Sequence, residues 1–455
     1  MKAKYAIITL GKVNKLYFSK LGGGFMNTIK RDINLNQLIS KKENGLIKVI
    51  TGIRRCGKSY LLFDIYYNYL LECGVNENNI IALALDDDKN REYLNLDKLS
   101  EFLYSKITNK TEMFYIFLDE VQFAITDKEL KGKEPIRLYG ILNGLLRLKN
   151  VDIYVTGSNS KFLSSDIMTE FRGRGDEVRV FPLSFAEFYS SNLWSDKYDA
   201  WNEYTMYGGM PLLLAKKTDS EKVSYLKELV SKTYIQDVVD RNNLKGNIVL
   251  TTLVDILASS IGSLTNPTKL AKTFASNDIK TSDVTISTYI DYLIDAFMIN
   301  RTQRYDIKGK KYINSPFKFY FTDIGIRNCI LNFRQQEPTH IMENIIYNEL
   351  LIRGFNVDVG IVEHMIRNSS GKQQLIQLEI DFICNKGSNR YYIQSAFSIP
   401  NEIKMQQETS SLDKVNDSFK KIIITQDITK PWHNEKGYLI INIFDFLLNQ
   451  NSLDF

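Results

Sequence analysis

The stretch "GIRRCGKSYLL", residues 52–62, follows directly on the apolar run "LIKVIT", residues 46–51. Its two glycines, lysine and serine fall at the spacing GxxxxGK followed by Ser or Thr. In that pattern glycines let main-chain N–H groups curl around phosphate oxygens with no Cβ in the way. Lys58 is placed to reach the β and γ phosphates and Ser59 to ligate Mg²⁺. The segment "YLLFDIYYNYLLE" continues as an amphipathic helix whose N-terminal dipole faces the anion. The phosphate cradle read from the sequence is Gly52, Ile53, Arg54, Arg55, Cys56, Gly57, Lys58, Ser59 and Tyr60.

A loop of this kind needs an acidic partner on a neighbouring strand, and "MFYIFLDEVQ" supplies one: an apolar run that ends at Asp119 and Glu120. A buried parallel strand reads as a continuous apolar run, and ligands sit at its C-terminal end. Asp119 is expected to hold Mg²⁺ through water, and Glu120 to orient and deprotonate the attacking water. Two further strands are legible, "IIALALDDD" up to Asp86 and "VDIYVTGSNS" up to a polar tract at 156–160. Ser158 or Asn159 is positioned to hydrogen-bond the γ-phosphate or the lytic water. The same tract also reads as a strand-to-helix turn with a serine cap.

At 455 residues and 44% hydrophobic, the chain is expected to split into roughly two to four domains. The net charge of +5, from 58 Lys and Arg against 53 Asp and Glu, is too mild to be a nucleic-acid signature by itself. The four cysteines, Cys56, Cys73, Cys329 and Cys384, form no CxxC pair, and the three histidines are scattered, so neither a disulfide framework nor a transition-metal site is expected. A reducing cytoplasm fits. No apolar run approaches the ~18 residues of a membrane span. Residues 1–25 read as an N-terminal extension, with Met26 as the expected start of the folded unit because "LGGG" before it reads as a flexible break.

"TGIRRCGKSYLL", "YIFLDEVQ", "VTGSNSKFLSSDI", "FRGRGDEVRVFPLSFAEF" and "YGGMP" occur in an order that resembles a large family of prokaryotic AAA+-type ATPases. The resemblance runs over nearly the whole chain from Met26. It implies an α/β fold: a P-loop NTPase parallel sheet with a helical lid, followed by a winged helix and an α/β PD-(D/E)XK nuclease-like domain. The expected boundaries are 26–190 for the ATPase domain, 191–260 for the lid, 261–335 for the winged helix and 336–455 for the nuclease-like domain. ATP and Mg²⁺ are the implied cofactors. Arg172 and Arg174 are candidates for contacting phosphate, within the chain or across a subunit boundary; as arginines in a glycine turn they read equally as solvated.

In the middle of the chain, residues 184–261 show helical periodicity, and "YGGMP" punctuates it. Residues 266–323 then read as short helix, turn, second helix and two strands around a basic loop. Ile286, Ile290, Leu293 and Phe297 share one face of the second helix, leaving Thr285, Ser287 and Thr288 for its other face. Arg301, Arg304, Lys308, Lys310 and Lys311 form the basic wing. Two readings stand for it, a DNA contact through phosphates or a protein-contact or solvated face.

In the C-terminal part, the resemblance puts Glu343 at the helix carboxylate and Asp381 at the metal-binding aspartate of the nuclease-like fold, with Glu379 nearby by strand alternation. The (D/E)xK motif falls on Gln394, Ser395 and Ala396 and so lacks its lysine. An inactive or structural domain is expected, since a glutamine oxygen is a weak metal ligand. The expected whole is an ATPase that couples Mg-dependent hydrolysis to movement of its C-terminal parts. The alternatives are a nucleotide-set switch gripping another protein, and an ATP-dependent nuclease.

Overall fold

The computed structural model describes residues 29–109, 111–130, 133–157, 175–191, 193–242, 244, 246, 248–367 and 372–455. The chain divides into two compact units, Met1–Pro182 with Asp295–Phe297 and Leu183–Ile294 with Met298–Phe455.

In the first unit the apolar runs become β1 (Ile47–Thr51), β2 (Ile80–Ala84), β3 (Phe114–Asp119) and β4 (Val151–Thr156), joined by β5 (Gly175–Arg179). They form one parallel sheet in the order β2-β3-β4-β1-β5. Every residue of β1, β3 and β4 is buried, as strands covered on both faces require. One side packs on α1 (Leu96–Lys106) and α2 (Arg137–Leu145): Leu99, Leu103, Leu138 and Leu142 share a core with Val49, Ile116, Leu118, Ile153 and Val155. The register, Ile50 opposite Thr156 and Leu118 opposite Val155, brings the C-terminal ends of β1, β3 and β4 level. At the other end of the sheet a fully buried ion pair, Lys48 with Asp152, is completed by Tyr154, whose hydroxyl donates to Asp152 at 2.7 Å.

The second unit opens with helices, among them α3 (Lys197–Tyr207), α4 (Pro267–Ser276) and α5 (Asp283–Asp295). Ile286, Ile290 and Leu293 of α5 are buried; Phe297, expected on the same face, is buried too but is counted with the first unit. Further helices and one eight-stranded sheet, in the order β12-β13-β11-β10-β9-β8-β6-β7, make up the rest. The sheet's members are β6 (Ile299–Asp306), β7 (Lys311–Phe321), β8 (Asn356–Arg367), β9 (Gln373–Lys386), β10 (Asn389–Ala396), β11 (Lys420–Thr425), β12 (Trp432–His433) and β13 (Leu439–Asn442). The expected boundary at residue 335 falls between β7 and β8 of this one sheet. The β6–β7 hairpin, expected as a separate wing, is hydrogen-bonded to β8 in parallel, Arg304 opposite Val359, so no break in the sheet separates the two regions. The first compact unit runs to Pro182 and takes in Asp295–Phe297, and the helices at 191–260 fall in the second unit.

"YGGMP" proves to be a packing device. Gly208 ends α3 at φ 79°, and a Cβ there would lie 2.2 Å from Asp323 Oδ1. Asp323 caps α6 (Ile324–Ile330) by accepting from the Ile326 N–H at 3.1 Å and also accepts from the Gly209 N–H at 2.7 Å. Arg327 of α6 is fully buried, with Nε donating to Ala258 O at 2.9 Å and Nη2 to Glu337 at 2.9 Å.

Candidate active site

The first candidate site is built where β1, β3 and β4 end. Gly52 leaves β1 at φ 140°, and a Cβ would meet Val180 O at 2.1 Å, so only glycine fits beside β5. Gly57, at φ 104° and ψ 21°, turns the chain into the helical segment Lys58–Tyr60. That helix continues through a wide-turn stretch, Leu61–Tyr66, and closes with Tyr67–Glu72; Leu61, Leu62, Tyr66 and Leu70 bury its inner face. Ile53 and Cys56 anchor the loop in the core, and Cys56 Sγ donates to Val180 O at 3.4 Å; burial pushes its thiol up. Arg55 and Ser59 are exposed, and Arg54, Gly57 and Tyr60 are half-buried. Lys58 is 4% exposed, and its ammonium rests on carbonyls of its own loop, Gly52 O at 3.1 Å and Ile53 O at 3.3 Å.

Asp119 ends β3 beside this loop. Burial pushes its carboxyl up to about 6, although hydrogen bonds from the Ser59 and Thr156 hydroxyls pull the other way. Ser59 Oγ and the Asp119 carboxylate thus form the adjacent hard-oxygen pair that would hold Mg²⁺, which prefers such ligands with substrate phosphates completing its shell. Glu120 follows in left-handed backbone at φ 51° and ψ 50°, half-buried at the end of β3. Its neighbour Asp86, past the end of β2, is pushed up by burial and by the Glu120 charge, and pulled down by Arg54.

Thr156 was not among the expected site residues. Its hydroxyl donates to Asp119 Oδ1 and accepts from the Glu120 N–H at 3.1 Å, tying β4 to both carboxylate positions. The signal was present: Thr156 is the polar residue that closes an apolar strand beside β3. Ser158, Asn159, Arg172 and Arg174 lie outside the described residues.

The second unit carries its own charged cluster. Glu343, on α7 (Pro338–Ile352), and Glu379 and Asp381, on β9, surround Lys318 of β7. The ammonium lies 2.9 Å from Glu343, 2.7 Å from Glu379 and 3.8 Å from Asp381. The (D/E)xK stretch, Gln394 to Ala396, carries no lysine of its own; the lysine of this cluster arrives from β7, over sixty residues upstream, through sheet pairing that linear spacing does not reveal. Burial pushes the Asp381 carboxyl up, and the Glu343 charge adds to this. For Glu343 burial acts upward too, but Lys318, His340 and Tyr320 outweigh it and hold the carboxyl below its ordinary range. Gln394 is not joined to this cluster; its Oε1 is buried without a hydrogen-bond partner within the protein. Ser395, next to it, donates its N–H to Asp381 at 2.8 Å.

The basic wing is also revised. Arg304 faces inward from β6, 7% exposed, and donates to Gln377 Oε1 at 2.7 Å, so it is not a surface cation. Arg301 is exposed but pairs with Asp291 at 3.4 Å and lies over the Phe317 ring. Lys308, Lys310 and Lys311 are exposed at the hairpin turn. Among the described residues no helix is long and apolar enough to cross a membrane.

Comparison with known proteins matches residues 44–189 to an AAA domain and residues 198–337 to a domain of unknown function. An uncharacterized protein of Haemophilus influenzae is 33% identical over 426 residues, covering 92% of this chain and 98% of that protein. An uncharacterized protein of Methanocaldococcus jannaschii is 27% identical over 429 residues, covering 92% of this chain and 88% of that protein. Among solved structures, the Walker-type ATPase of Pyrococcus abyssi aligns at 16% identity and a TM-score of 0.46, over 67% of this chain and 96% of that one. With a loop of the phosphate-cradling kind, an acidic partner strand and an AAA domain in its first half, the chain belongs to the same family of P-loop AAA-type proteins as its Haemophilus influenzae relative.

Proposed function

We propose that this protein is a Mg²⁺-dependent ATPase. The observation that carries the reading is the convergence of Lys58, Ser59, Asp119 and Glu120 at one end of the parallel sheet, with Ser59 already hydrogen-bonded to Asp119. The loop amides and Lys58 hold the triphosphate and draw charge off it. Ser59 and Asp119 would hold Mg²⁺, which when bound would supply positive charge to offset that developing on the phosphates. Glu120 takes the proton of the attacking water as its oxygen bonds to the γ-phosphorus, and ADP leaves with the β–γ bridging oxygen. Asn159, Arg172 and Arg174 are proposed to complete the phosphate contacts, and Ser158 to line the same face.

The second unit is proposed to respond to this cycle as the moving part. Its helices α4 and α5 with the β6–β7 hairpin are read as a winged-helix element whose DNA contact rests on Lys308, Lys310 and Lys311, with Arg301 held in reserve by Asp291. Its C-terminal part is read as a nuclease-like scaffold without cleavage activity. One buried ammonium among Glu343, Glu379 and Asp381 supports this, because it supplies internally the positive charge that a divalent metal would bring.

ATP turnover of the chain and of Glu120→Gln, each with and without duplex DNA, tests the reading. Hydrolysis that needs Mg²⁺ and falls at least a hundredfold in Glu120→Gln, with ATP binding kept, is expected. Stimulation by DNA that fades as salt rises is expected as well. A chain that binds no adenine nucleotide overturns the assignment, and plasmid nicking lost in Asp381→Ala overturns the inactive-nuclease part.

A further inference from the structure

Glu120 is fixed at its backbone from both sides. Its N–H is held by Thr156 at 3.1 Å, and its C=O accepts from the Phe123 N–H at 3.1 Å. Left-handed backbone at a non-glycine residue is costly and persists only where the surroundings enforce it. The side chain still has three torsions between that anchored backbone and its carboxylate. Something must choose among them if the carboxylate is to meet a water.

The one-turn helix Val121–Ala124 supplies that choice. Val121 and Ala124 bury their side chains in the core of the first unit, and the Gln122 C=O accepts from the Ile125 N–H at 3.2 Å, so the turn is tied at both ends. From this turn the Gln122 amide donates through Nε2 to Glu120 Oε2. The chemistry of the donor matters. A lysine or arginine here would form an ion pair and weaken Glu120 as a base, whereas a neutral amide orients the carboxylate and leaves its charge in place.

The charges that face Glu120 give the choice its consequence. Asp119, next to it on β3, and Asp86, past the end of β2, each feel the Glu120 charge, while Arg54 acts on Asp86 and Lys58 on Asp119 from the phosphate loop. A carboxylate with no fixed rotamer would answer to these surrounding charges rather than to water. We propose that Gln122 is a positioning residue that holds the Glu120 carboxylate in the orientation used on water. It rests on the ATPase reading and adds a residue to it. Gln122 touches neither nucleotide nor water in this role; it acts through Glu120.

The full chain separates this role from a merely structural one. Gln122→Ala is expected to lower kcat for ATP by about tenfold to a hundredfold, the size of loss a misplaced catalytic group causes. The KM for ATP should stay within about twofold, because the phosphate loop is untouched. Gln122→Asn, which keeps the amide on a shorter arm, should recover part of the rate. In a Glu120→Gln background, adding Gln122→Ala should change turnover by less than about twofold, since the group it orients is no longer a base. A kcat unchanged or raised in Gln122→Ala overturns the proposal, as does an undiminished loss in the Glu120→Gln background. A wild-type chain with no ATP turnover sinks the ATPase reading itself, whereas an active chain indifferent to Gln122 sinks this inference alone.

Discussion

Each unit of this molecule buries one lysine at its charged site, and the two lysines are used in opposite ways. Lys58 and Lys318 are 4% and 3% exposed, so neither is a solvated surface charge. Lys58 leans on two neutral carbonyls of its own loop, contacts that a phosphate can displace. Lys318 is held by three carboxylates, and burial, which would lower its affinity for a proton, is outweighed by Glu343, Asp381 and Glu379, which raise it. A buried charge with neutral partners keeps attraction to offer a ligand; one enclosed by opposite charges has satisfied it internally.

The comparison is broken most forcefully at Lys318. Lys318→Met takes the buried ammonium away from Glu343 and Asp381, which are buried, and from half-buried Glu379, and removing one side of such a group costs about 3–5 kcal/mol. Urea unfolding at pH 7 measures it, and a loss under about 1 kcal/mol would mean that the cluster is solvated. Lys58→Ala is expected to do the reverse. Turnover falls by about a hundredfold to a thousandfold, since a charge aimed at the phosphates is gone. The urea midpoint of the nucleotide-free chain should barely move, because only two neutral contacts are lost. If Lys58→Ala unfolds the chain while Lys318→Met does not, the contrast between the lysines is false.

The same contrast explains what could be read in advance. Gly57, Lys58 and Ser59 are consecutive, and Asp119 ends an apolar strand, so this part of the proposed phosphate site is written in local spacing and strand ends. Thr156 was within reach for the same reason, at the tip of β4. Lys318 was not, because its meeting with Asp381 depends on β7, β6, β8 and β9 joining one sheet, and pairing across such separations leaves no local mark. Arg304 was misjudged on similar grounds: in a hairpin read as a free wing every cation looks exposed, but once β6 pairs with β8 its alternate residues turn inward. The glycines of "YGGMP" read as a turn, and only the fold shows that Gly208 makes room for Asp323, 115 residues away.

That contact gives the two smaller predictions. Gly208→Ala places a Cβ against Asp323 in a backbone region that side chains seldom adopt, so a loss of about 1–3 kcal/mol is expected by urea unfolding. Equal stability would show that α3 and α6 can slide apart at no cost. Asp323 itself gives the smallest effect. Burial outweighs the three backbone N–H donors from Gly209, Ile326 and Gly325 and pushes its carboxyl up to about 6, against about 3.9 in an unfolded chain. Between those values the folded state holds a proton that the unfolded state has lost. This carboxyl therefore adds stability as pH falls through 6 toward 4 and withdraws it as pH rises through 6, by about 1 kcal/mol between pH 5 and pH 7. Asp323→Asn removes the titration, so the stability gap between parent and variant should widen by that amount at pH 5. A gap that narrows there would mean that the backbone donors dominate and the carboxylate is held charged, as an ordinary helix cap would be.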